Sequence, residues 1–376
     1  MAGIYIHIPF CKQACTYCNF HFSTSLSQKR ALLDAIVKEI ALTPLMHSAP
    51  EKIETIYFGG GTPSIITTDE LKKILAAIYK KFTVVSNAEI TLEANPDDIS
   101  HNSLLQWKQA GINRFSLGVQ SFDEDELVWM NRAHNATESL QSIRMIQDTG
   151  FTNFSIDLIY GSPLQSNERL LKNLDIIFNE SVPHISCYAL TVEPKTALDY
   201  MIRKKNSVDT DPAKQASQFL LLMEKLPANG YEHYEISNYA RPGMRSKHNS
   251  SYWQGKIYYG FGPAAHSYDG RNRRQWNIAN NALYIQSLQK DTIPAESELL
   301  TPDQELNEYL MTALRTIEGI DIQYMQTRFP AYDKKLIVDA AEKFIRSGKM
   351  KLEGYKLFLT NEGKLLADGI AADLFV

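Results

Sequence analysis

The amino-acid sequence predicts an α/β fold: a partial or full (β/α) TIM-like barrel followed by a small C-terminal helical, winged-helix-like module. Two observations predict the barrel. Short apolar or alternating runs typical of strands recur along the chain, and an amphipathic helical pattern follows almost every one of them. A third observation predicts the module, because this alternation stops near Thr301. An open doubly wound sheet would produce the same alternation and is the alternative fold.

Strand-like and helix-like segments alternate along the first 236 residues. The predicted strands are residues 4–8, 53–58, 89–93, 114–119, 154–160, 184–192 and, less clearly, 231–236. The predicted helices are residues 28–42, 68–82, 102–110, 137–149, 167–178 and 211–228. Strands joined through helices form parallel sheets with right-handed crossovers. Six to seven such units predict a sheet that curls into a barrel.

The last part of the chain has a different pattern, with three helices, a hairpin and a final helix. The predicted segments are residues 302–316, 321–328, 333–347, 349–352 with 356–359, and 362–375. This order resembles a winged-helix module, which raises DNA binding as one hypothesis. We therefore divide the chain into a barrel at residues 1–235, a linking segment at 236–300 and the module at 301–376.

Composition and charge restrict the partners and the compartment. The net charge is −4 and the sequence pI is near 6.2, whereas a protein that binds nucleic acid needs a basic surface. We therefore expect no nucleic-acid partner. For the C-terminal module we favour a structural or lid role. No apolar run approaches the ~20 residues that span a bilayer, and the first ten residues lack a signal-peptide pattern. We therefore expect a cytoplasmic protein without a membrane span.

Three of the four cysteines lie within eight residues, directly after the first predicted strand. Their spacing is Cys11-x-x-x-Cys15-x-x-Cys18, and three thiolates in one loop can bind three irons of a [4Fe–4S] cubane. The fourth iron would stay open, as is required of a cluster that binds S-adenosylmethionine. A structural zinc site would need a fourth ligand, such as His7 or His21, and is the alternative. We expect Cys187, in an apolar strand, to be a buried small hydrophobe.

Polar residues recur where the predicted strands end, which is the edge that carries the active site in β/α barrels. The second strand ends in Gly59-Gly60-Gly61-Thr62-Pro63, where glycines let a ligand's amino group approach backbone carbonyls. Two further strands end in the segments Glu93-Ala94-Asn95-Pro96 and Asp157-Leu158-Ile159-Tyr160-Gly161, and the Glu93 and Asp157 carboxylates could hold ribose hydroxyls. Gln120 and Arg132 could bind the carboxylate end of the same ligand.

Over nearly its whole length the sequence resembles radical-SAM proteins of the oxygen-independent coproporphyrinogen III oxidase family. Four segments carry the resemblance. They are Tyr5-x-His7-Ile8-Pro9-Phe10-Cys11-x-x-x-Cys15-x-Tyr17-Cys18, Gly59-Gly60-Gly61-Thr62-Pro63, Gly118-Val119-Gln120-x-Phe122 and Asp157-Leu158-Ile159-Tyr160-Gly161. The resemblance implies a radical-SAM barrel in which Cys11, Cys15 and Cys18 ligate the cluster. It also implies S-adenosylmethionine contacts from Tyr5, Tyr17, Gly60, Gly61, Thr62, Glu93, Gln120, Arg132 and Asp157, and by weaker matches from Ala189 and His266.

The family has an oxidase branch and a heme-chaperone branch, and the sequence departs from the first. The oxidase has a further cysteine two positions after the third cluster cysteine, where this chain has Phe20, and an N-terminal extension that this sequence lacks. The heme-chaperone branch has Phe at that position and an His-Asn-x-x-Tyr-Trp motif. The corresponding segment here is His248-Asn249-Ser250-Ser251-Tyr252-Trp253.

This motif, in the predicted linking segment, is suited to heme. Imidazole is an axial ligand of heme iron, and Tyr252 and Trp253 would offer flat apolar surface to the porphyrin. The structural alternative is a loop in which His248 is hydrogen bonded and the two aromatic side chains pack between barrel and module. With the family resemblance we favour heme.

The sequence therefore predicts a heme chaperone that delivers heme to apoproteins, with a [4Fe–4S] cluster and S-adenosylmethionine as cofactors. An electron donor to the cluster is a further expected partner, and both a monomer and a homodimer are open. Two hypotheses from other classes are an oxygen-independent coproporphyrinogen III oxidase, which the departures above disfavour, and a DNA-binding regulator acting through the C-terminal module.

Overall fold

A computed structural model describes residues 2–47 and 51–376 of the chain. Its β-strands fall into two sheets, a large one and a small one. The strands are β1 Ala2–Ile8, β2 Lys52–Gly60, β3 Thr83–Ala94, β4 Arg114–Gln120, β5 Phe154–Tyr160, β6 His184–Ala189, β7 Glu232–Glu235, β8 Asn238–Ala240, β9 Ile257–Phe261, β10 His266–Tyr268, β11 Arg273–Asn277, β12 Ala295–Leu299, β13 Ile320–Asp321, β14 Met350–Glu353 and β15 Lys356–Leu359.

The α-helices connect the strands and also build most of the C-terminal module. They are α1 Lys29–Leu42, α2 Thr68–Lys81, α3 His101–Ala110, α4 Glu124–Trp129, α5 Ala136–Asp148, α6 Asn167–Asn179, α7 Ala197–Arg203, α8 Pro212–Ala228, α9 Lys247–Trp253, α10 Asn281–Gln289, α11 Pro302–Leu314, α12 Ile322–Arg328, α13 Lys334–Arg346, α14 Asn361–Lys364 and α15 Ala367–Asp373. No helix in the described ranges combines the length and apolar character that crossing a membrane requires.

The large sheet has the strand order β12-β11-β10-β9-β1-β2-β3-β4-β5-β6-β8-β7. Strands β9 and β1 to β6 form a parallel series. Antiparallel strands extend the sheet beyond β9 at one end and beyond β6 at the other. Helices cover the outer face, as the alternation of strand and helix requires. The fold class predicted from the sequence, a partial TIM-like barrel with a small C-terminal module, is confirmed.

Alternation along each strand sends apolar side chains outward and polar ones into the barrel. On β1, Ile4 and Ile6 are fully buried in the same hydrophobic core as Leu32 of α1. Successive side chains of a strand point to opposite faces, so Tyr5 and His7 face the other side, which is the barrel interior. The interior of this barrel is therefore polar and aromatic rather than filled with branched aliphatic side chains.

Residues 231–236 and 362–375 differ from what the sequence predicts. Residues 231–236, which we expected to continue the parallel series, form the antiparallel strand β7 at the end of the sheet. The predicted linking segment, residues 236–300, supplies strands to both ends of the sheet, among them β9 beside β1. The predicted division into domains stays a prediction.

The single helix predicted over residues 362–375 is wrong, because the structure has α14 and α15 there. On α14 the backbone of Gly363 lies so close to the carbonyl oxygen of Lys349 that a Cβ would be 1.9 Å from it. Helix α15 contributes Ile370 and Ala371 to a core that includes Leu306 and Leu310 of α11. Between the two helices, Leu366 has a φ of −121° and a ψ of 19°, which lie outside the α-helical range and interrupt the helix.

The C-terminal module has its own hydrophobic core and docks on the barrel through polar contacts. Arg315 pairs with Glu235 at 3.2 Å, and Glu235 is buried. The Lys364 ammonium of α14 lies 3.0 Å from Nδ1 of His233 on β7. These contacts attach the module at the β7 end of the large sheet.

Candidate functional site

The predicted cluster and cofactor residues meet at the carboxyl edge of the parallel strands. The cysteine loop follows β1, the glycine segment ends β2, and Glu93, Gln120 and Asp157 lie on β3, β4 and β5. Strands of a parallel sheet end at a common edge, so residues far apart in sequence come together there.

All three loop cysteines are half-buried with free thiols. Burial raises the pKa of the Cys11 thiol to about 11, and it also raises the pKa of Cys18. Metal binding must therefore release protons, as is usual for thiolate sites. Arg132 donates from Nη1 to the sulfur of Cys15 at 3.0 Å, which places a positive charge where a thiolate would form.

This donor set suits a cubane. In the described ranges, no three His, Cys, Asp or Glu side chains are close enough together to hold a single ion. A cubane does not need such a group, because each cysteine binds a different iron. The loop also packs tightly on the glycine segment, where a Cβ on Gly61 would lie 2.6 Å from the Phe10 carbonyl oxygen and 3.0 Å from the Cys11 sulfur. Only glycine permits this approach.

Glu93 is held by two donors in the polar interior of the barrel. The Tyr57 hydroxyl donates to its Oε1 at 2.7 Å, and the Gly60 amide donates to its Oε2 at 3.1 Å. Burial raises the pKa of Glu93 to about 7 in spite of these hydrogen bonds. The adjacent Gly60 has a φ of 113° and leaves room for the ring of His7, which a Cβ would approach to 2.6 Å.

Asp157 and Arg132 lie on the other side of the site. Burial raises the pKa of Asp157 to about 6, partly opposed by the Ser186 hydroxyl and by the positive charge of Arg114. The second Arg132 nitrogen, Nη2, donates to Asn95 Oδ1 at 2.7 Å and to the Gly118 carbonyl at 2.8 Å. Its Nε is buried without a partner among the described residues, so the guanidinium retains a donor for a ligand.

The other predicted cofactor residues surround this centre. The Tyr5 hydroxyl donates to His7 Nδ1 at 3.1 Å, and Thr62 is buried beside the cysteine loop. Gln120 ends β4 with a left-handed φ of 68°, and Tyr17 packs in a small apolar cluster beneath the loop. Their roles stay predictions, as do those of two residues at the periphery, Ala189 at the end of β6 and His266 at the start of β10.

Sequence reasoning missed two residues that organise the site. Tyr57 was treated only as part of an apolar strand, yet it binds Glu93 and packs on a histidine of the linking segment. Asn95 was noted only as part of the segment that ends β3, yet it connects Arg132 with Thr62. The alternation of β2 was a usable signal for Tyr57, because it places this side chain on the same face as the glycine segment.

That histidine is His248 of α9, and it lies inside the barrel rather than on the surface. Its ring stacks on Tyr57 with centroids 5.0 Å apart, and its Nδ1 and Nε2 are hydrogen bonded to Thr55 at 2.8 Å and Tyr252 at 2.9 Å. The Glu89 carboxylate accepts from the backbone amide of His248 at 3.1 Å. Burial lowers the pKa of His248 to about 3, so the imidazole is neutral at physiological pH, as an iron ligand must be.

The three predicted heme residues have different surroundings. Iron ligation by His248 would require its ring to exchange a hydrogen bond for the metal, since both nitrogens already have partners. Tyr252 lies edge-on to Tyr258, with centroids 4.6 Å apart. Trp253 lies beneath the Arg315 guanidinium of the C-terminal module, 5.1 Å from the ring centre. The hydrogen-bonded His248 and the contact of Trp253 with the module agree with the structural alternative, but the segment is a helix rather than a loop and Tyr252 packs within the barrel. Heme binding by these residues stays a prediction.

The raised pKa values predict that nucleoside binding strengthens with pH. If only ionised Glu93 accepts the ribose hydroxyls, a pKa of about 7 leaves roughly one-tenth of the protein competent at pH 6 and roughly nine-tenths at pH 8. We expect affinity for 5′-deoxyadenosine, which has no group that titrates in this range, to rise about tenfold between these pH values. Equilibrium dialysis would measure it. Glu93→Gln is the control, and an equally steep pH profile in that variant would contradict the assignment.

Two protein-family models match parts of the chain. The Radical SAM superfamily matches residues 5–177 and the HemN C-terminal domain matches residues 300–366. The chain is 33% identical to heme chaperone HemW of Bacillus subtilis (strain 168), over 98% of each chain. It is also 33% identical to heme chaperone HemW of Mycobacterium tuberculosis (strain ATCC 25618 / H37Rv), over 99% of this chain and 94% of that one.

Among solved structures, coproporphyrinogen III oxidase HemN from Escherichia coli, a radical SAM enzyme, superposes with a TM-score of 0.84. The match covers 100% of this chain and 90% of that chain at 21% sequence identity. At this identity the likeness concerns the fold alone. The two HemW relatives are matched at higher identity and over nearly their full lengths.

Proposed function

This chain belongs to the HemW family of radical-SAM proteins, and on that premise we propose that it is a heme chaperone that binds heme and delivers it to apoproteins. The observation that carries the proposal is full-length similarity to two curated heme chaperones. The chain's own residues support it as well. The His248-Asn249-Ser250-Ser251-Tyr252-Trp253 segment forms helix α9 and reaches into the barrel next to the cofactor residues.

The cofactors of this family are a [4Fe–4S] cluster and S-adenosylmethionine. We propose that Cys11, Cys15 and Cys18 hold the cluster, and that such a cluster, when bound, supplies an electron to S-adenosylmethionine. The glycine segment after β2 lets the ligand approach the backbone. Glu93 and Asp157 are suited to accept hydrogen bonds from ribose hydroxyls.

Heme and the nucleoside would bind to neighbouring parts of the same interior. Tyr57 touches both parts, because its hydroxyl binds Glu93 and its ring stacks on His248. The buried Glu89 carboxylate holds α9 in place by accepting from the backbone amides of Lys247 at 3.2 Å and His248 at 3.1 Å. A chaperone needs a heme ligand that can be released, and a histidine with alternative hydrogen-bond partners meets this need.

The proposal extends to partners and compartment. Heme-requiring apoproteins are the recipients, and an electron donor reduces the cluster. Phe20, next to the cluster loop, is 68% exposed in place of the extra cysteine of the oxidase branch. We place the protein in the cytoplasm, where thiols stay reduced. Both a monomer and a homodimer are compatible with the proposal.

A heme titration beside an anaerobic oxidase assay tests the proposed function. We expect the cluster-loaded protein to bind heme and to form no protoporphyrinogen from coproporphyrinogen III, even with S-adenosylmethionine and reductant. His248→Ala should lower heme affinity by at least about tenfold and shift the Soret band, because the iron loses its imidazole while the porphyrin keeps its apolar contacts. Trp253→Ala should weaken binding with less change in the spectrum.

The exposed His101 provides the matched control, since His101→Ala removes an imidazole far from α9. Rival ligands need the same substitution, and they are His7, His21, His233 and His266. Robust protoporphyrinogen formation would favour the oxidase. If no substitution in residues 248–253 changes the heme affinity or the spectrum, the heme does not bind to this segment.

A further inference from the structure

A cavity of about 300 Å³ lies at the amino-terminal end of the barrel, opposite the cysteine loop. Its walls come from the starts of β1 and β2, from β3 and from helix α9. Neither the cluster nor the nucleoside residues line it. Because α9 also carries the predicted heme histidine, the cavity and the heme motif share one structural element.

The cavity is basic. Arg245, Lys247 and Lys256 line it, against one acidic residue, Glu54. The Arg245 guanidinium is already engaged by acidic partners outside the cavity, at 2.7 Å in each case. Lys247 and Lys256 form no ion pair with any residue that the structure describes. Two ammonium groups are therefore available to a ligand, and they favour an anion.

One face of α9 is built as the polar wall of this cavity. Lys247, Ser250, Ser251 and Gln254 have the spacing i, i+3, i+4, i+7, which places them on the same side of a helix. The Ser250 hydroxyl is buried and has no hydrogen-bond partner among the described residues. A buried hydroxyl without a partner costs free energy unless a ligand or water satisfies it.

The Thr55 side chain lies between the cavity and the His248 imidazole. Thr55 lines the cavity, and its Oγ1 is 2.8 Å from Nδ1 of His248. On β1, a Cβ at Gly3 would be 3.3 Å from the Cε1 atom of the same ring. The imidazole therefore lies directly behind the cavity wall, and the adjacent face of α9 carries the lysine.

We propose that this cavity binds the carboxylates of the porphyrin's propionate side chains, which orients heme against α9. The inference rests on the proposed heme-chaperone function and deepens it. A volume of about 300 Å³ is at the lower end of ligand pockets, so the cavity takes one edge of the macrocycle and not the whole. That edge is the one with two carboxylates, which match Lys247, Lys256 and the free Ser250 hydroxyl in charge and hydrogen bonding.

Comparing heme with its dimethyl ester tests the proposal, because esterification removes both negative charges and keeps the iron and the macrocycle. We expect the unmodified protein to bind heme about 5- to 30-fold more tightly than the diester, the range for two partly exposed ion pairs of about 1 kcal/mol each or less. Lys247→Gln with Lys256→Gln should abolish this preference and leave diester affinity unchanged. Both ligands are titrated by absorbance in the same detergent.

Lys351→Gln is the matched control, since Lys351 is an exposed lysine on β14 of the C-terminal module. High salt should reduce the preference of the unmodified protein, because exposed charge pairs are screened. Equal binding of heme and diester by the unmodified protein, or a full preference in the double variant, overturns the inference and leaves the proposed function intact. Failure to bind either porphyrin overturns the proposed function itself.

Discussion

Replacing Cys11, Cys15 or Cys18 by serine is expected to abolish a cluster of about four irons and four sulfides per chain, whereas Cys187→Ser keeps it. Each loop cysteine would supply the only protein ligand of its iron, so the loss of one leaves a second iron open. Cys187 lies buried on β6, away from the loop. Anaerobic reconstitution followed by iron and sulfide analysis measures the result, and exposure to air should bleach the visible absorbance.

Cys187→Ser places a hydroxyl group in the buried position of Cys187, so it should lower the free energy of unfolding without changing the iron content. Thermal unfolding in parallel separates the two effects. A fully occupied zinc site without labile sulfide after anaerobic isolation would contradict the cluster assignment and restore the zinc alternative.

Removing either Glu93, near the end of β3, or Asp157, in the middle of β5, is expected to weaken S-adenosylmethionine binding by roughly 5- to 150-fold. Glu93→Ala and Asp157→Ala each delete one or two hydrogen bonds that involve a charged acceptor, a cost on the order of 1–3 kcal/mol. The cluster should remain in both variants, because the hydrogen-bond partners of the two carboxylates are Tyr57, Gly60, Ser116 and Ser186 and not residues of the cysteine loop. Isothermal titration of cluster-loaded protein under anaerobic conditions measures the affinity.

Glu353→Ala, which changes an exposed carboxylate in the C-terminal hairpin, should leave the cofactor affinity unchanged. Asp157→Asn tests whether S-adenosylmethionine binding depends on the negative charge of this side chain or on its shape, since an amide can still accept one hydrogen bond. Unchanged affinity in both alanine variants would place the nucleoside elsewhere. A loss of iron together with a loss of affinity would instead indicate that these residues support the loop.

The sequence predicted the bounds of strands and helices accurately where the local residue pattern determines them. Strand β5 was predicted at its observed bounds, and α1, α2 and α6 were predicted within a residue or two. These helices have strong periodicity, and two of them begin at a capping residue. The Thr67 side chain accepts from the Glu70 amide at the start of α2, and the Ser166 side chain accepts from the Arg169 amide at the start of α6. The short exposed strand β12 has no apolar alternation and was missed for that reason.

What the sequence determined by itself was the chemistry: a cysteine spacing for three irons, a glycine segment, carboxylates on two strands and a histidine motif on a separate segment. Tertiary structure alone decided how these parts meet. The orientation of His248 depends on Thr55, Tyr57 and Glu89, which come from other strands, and the basic cavity exists only because α9 packs across the starts of β1 and β2. The physical reason is that a motif specifies side-chain chemistry locally, whereas burial, stacking and a shifted pKa arise from neighbours distant in the chain.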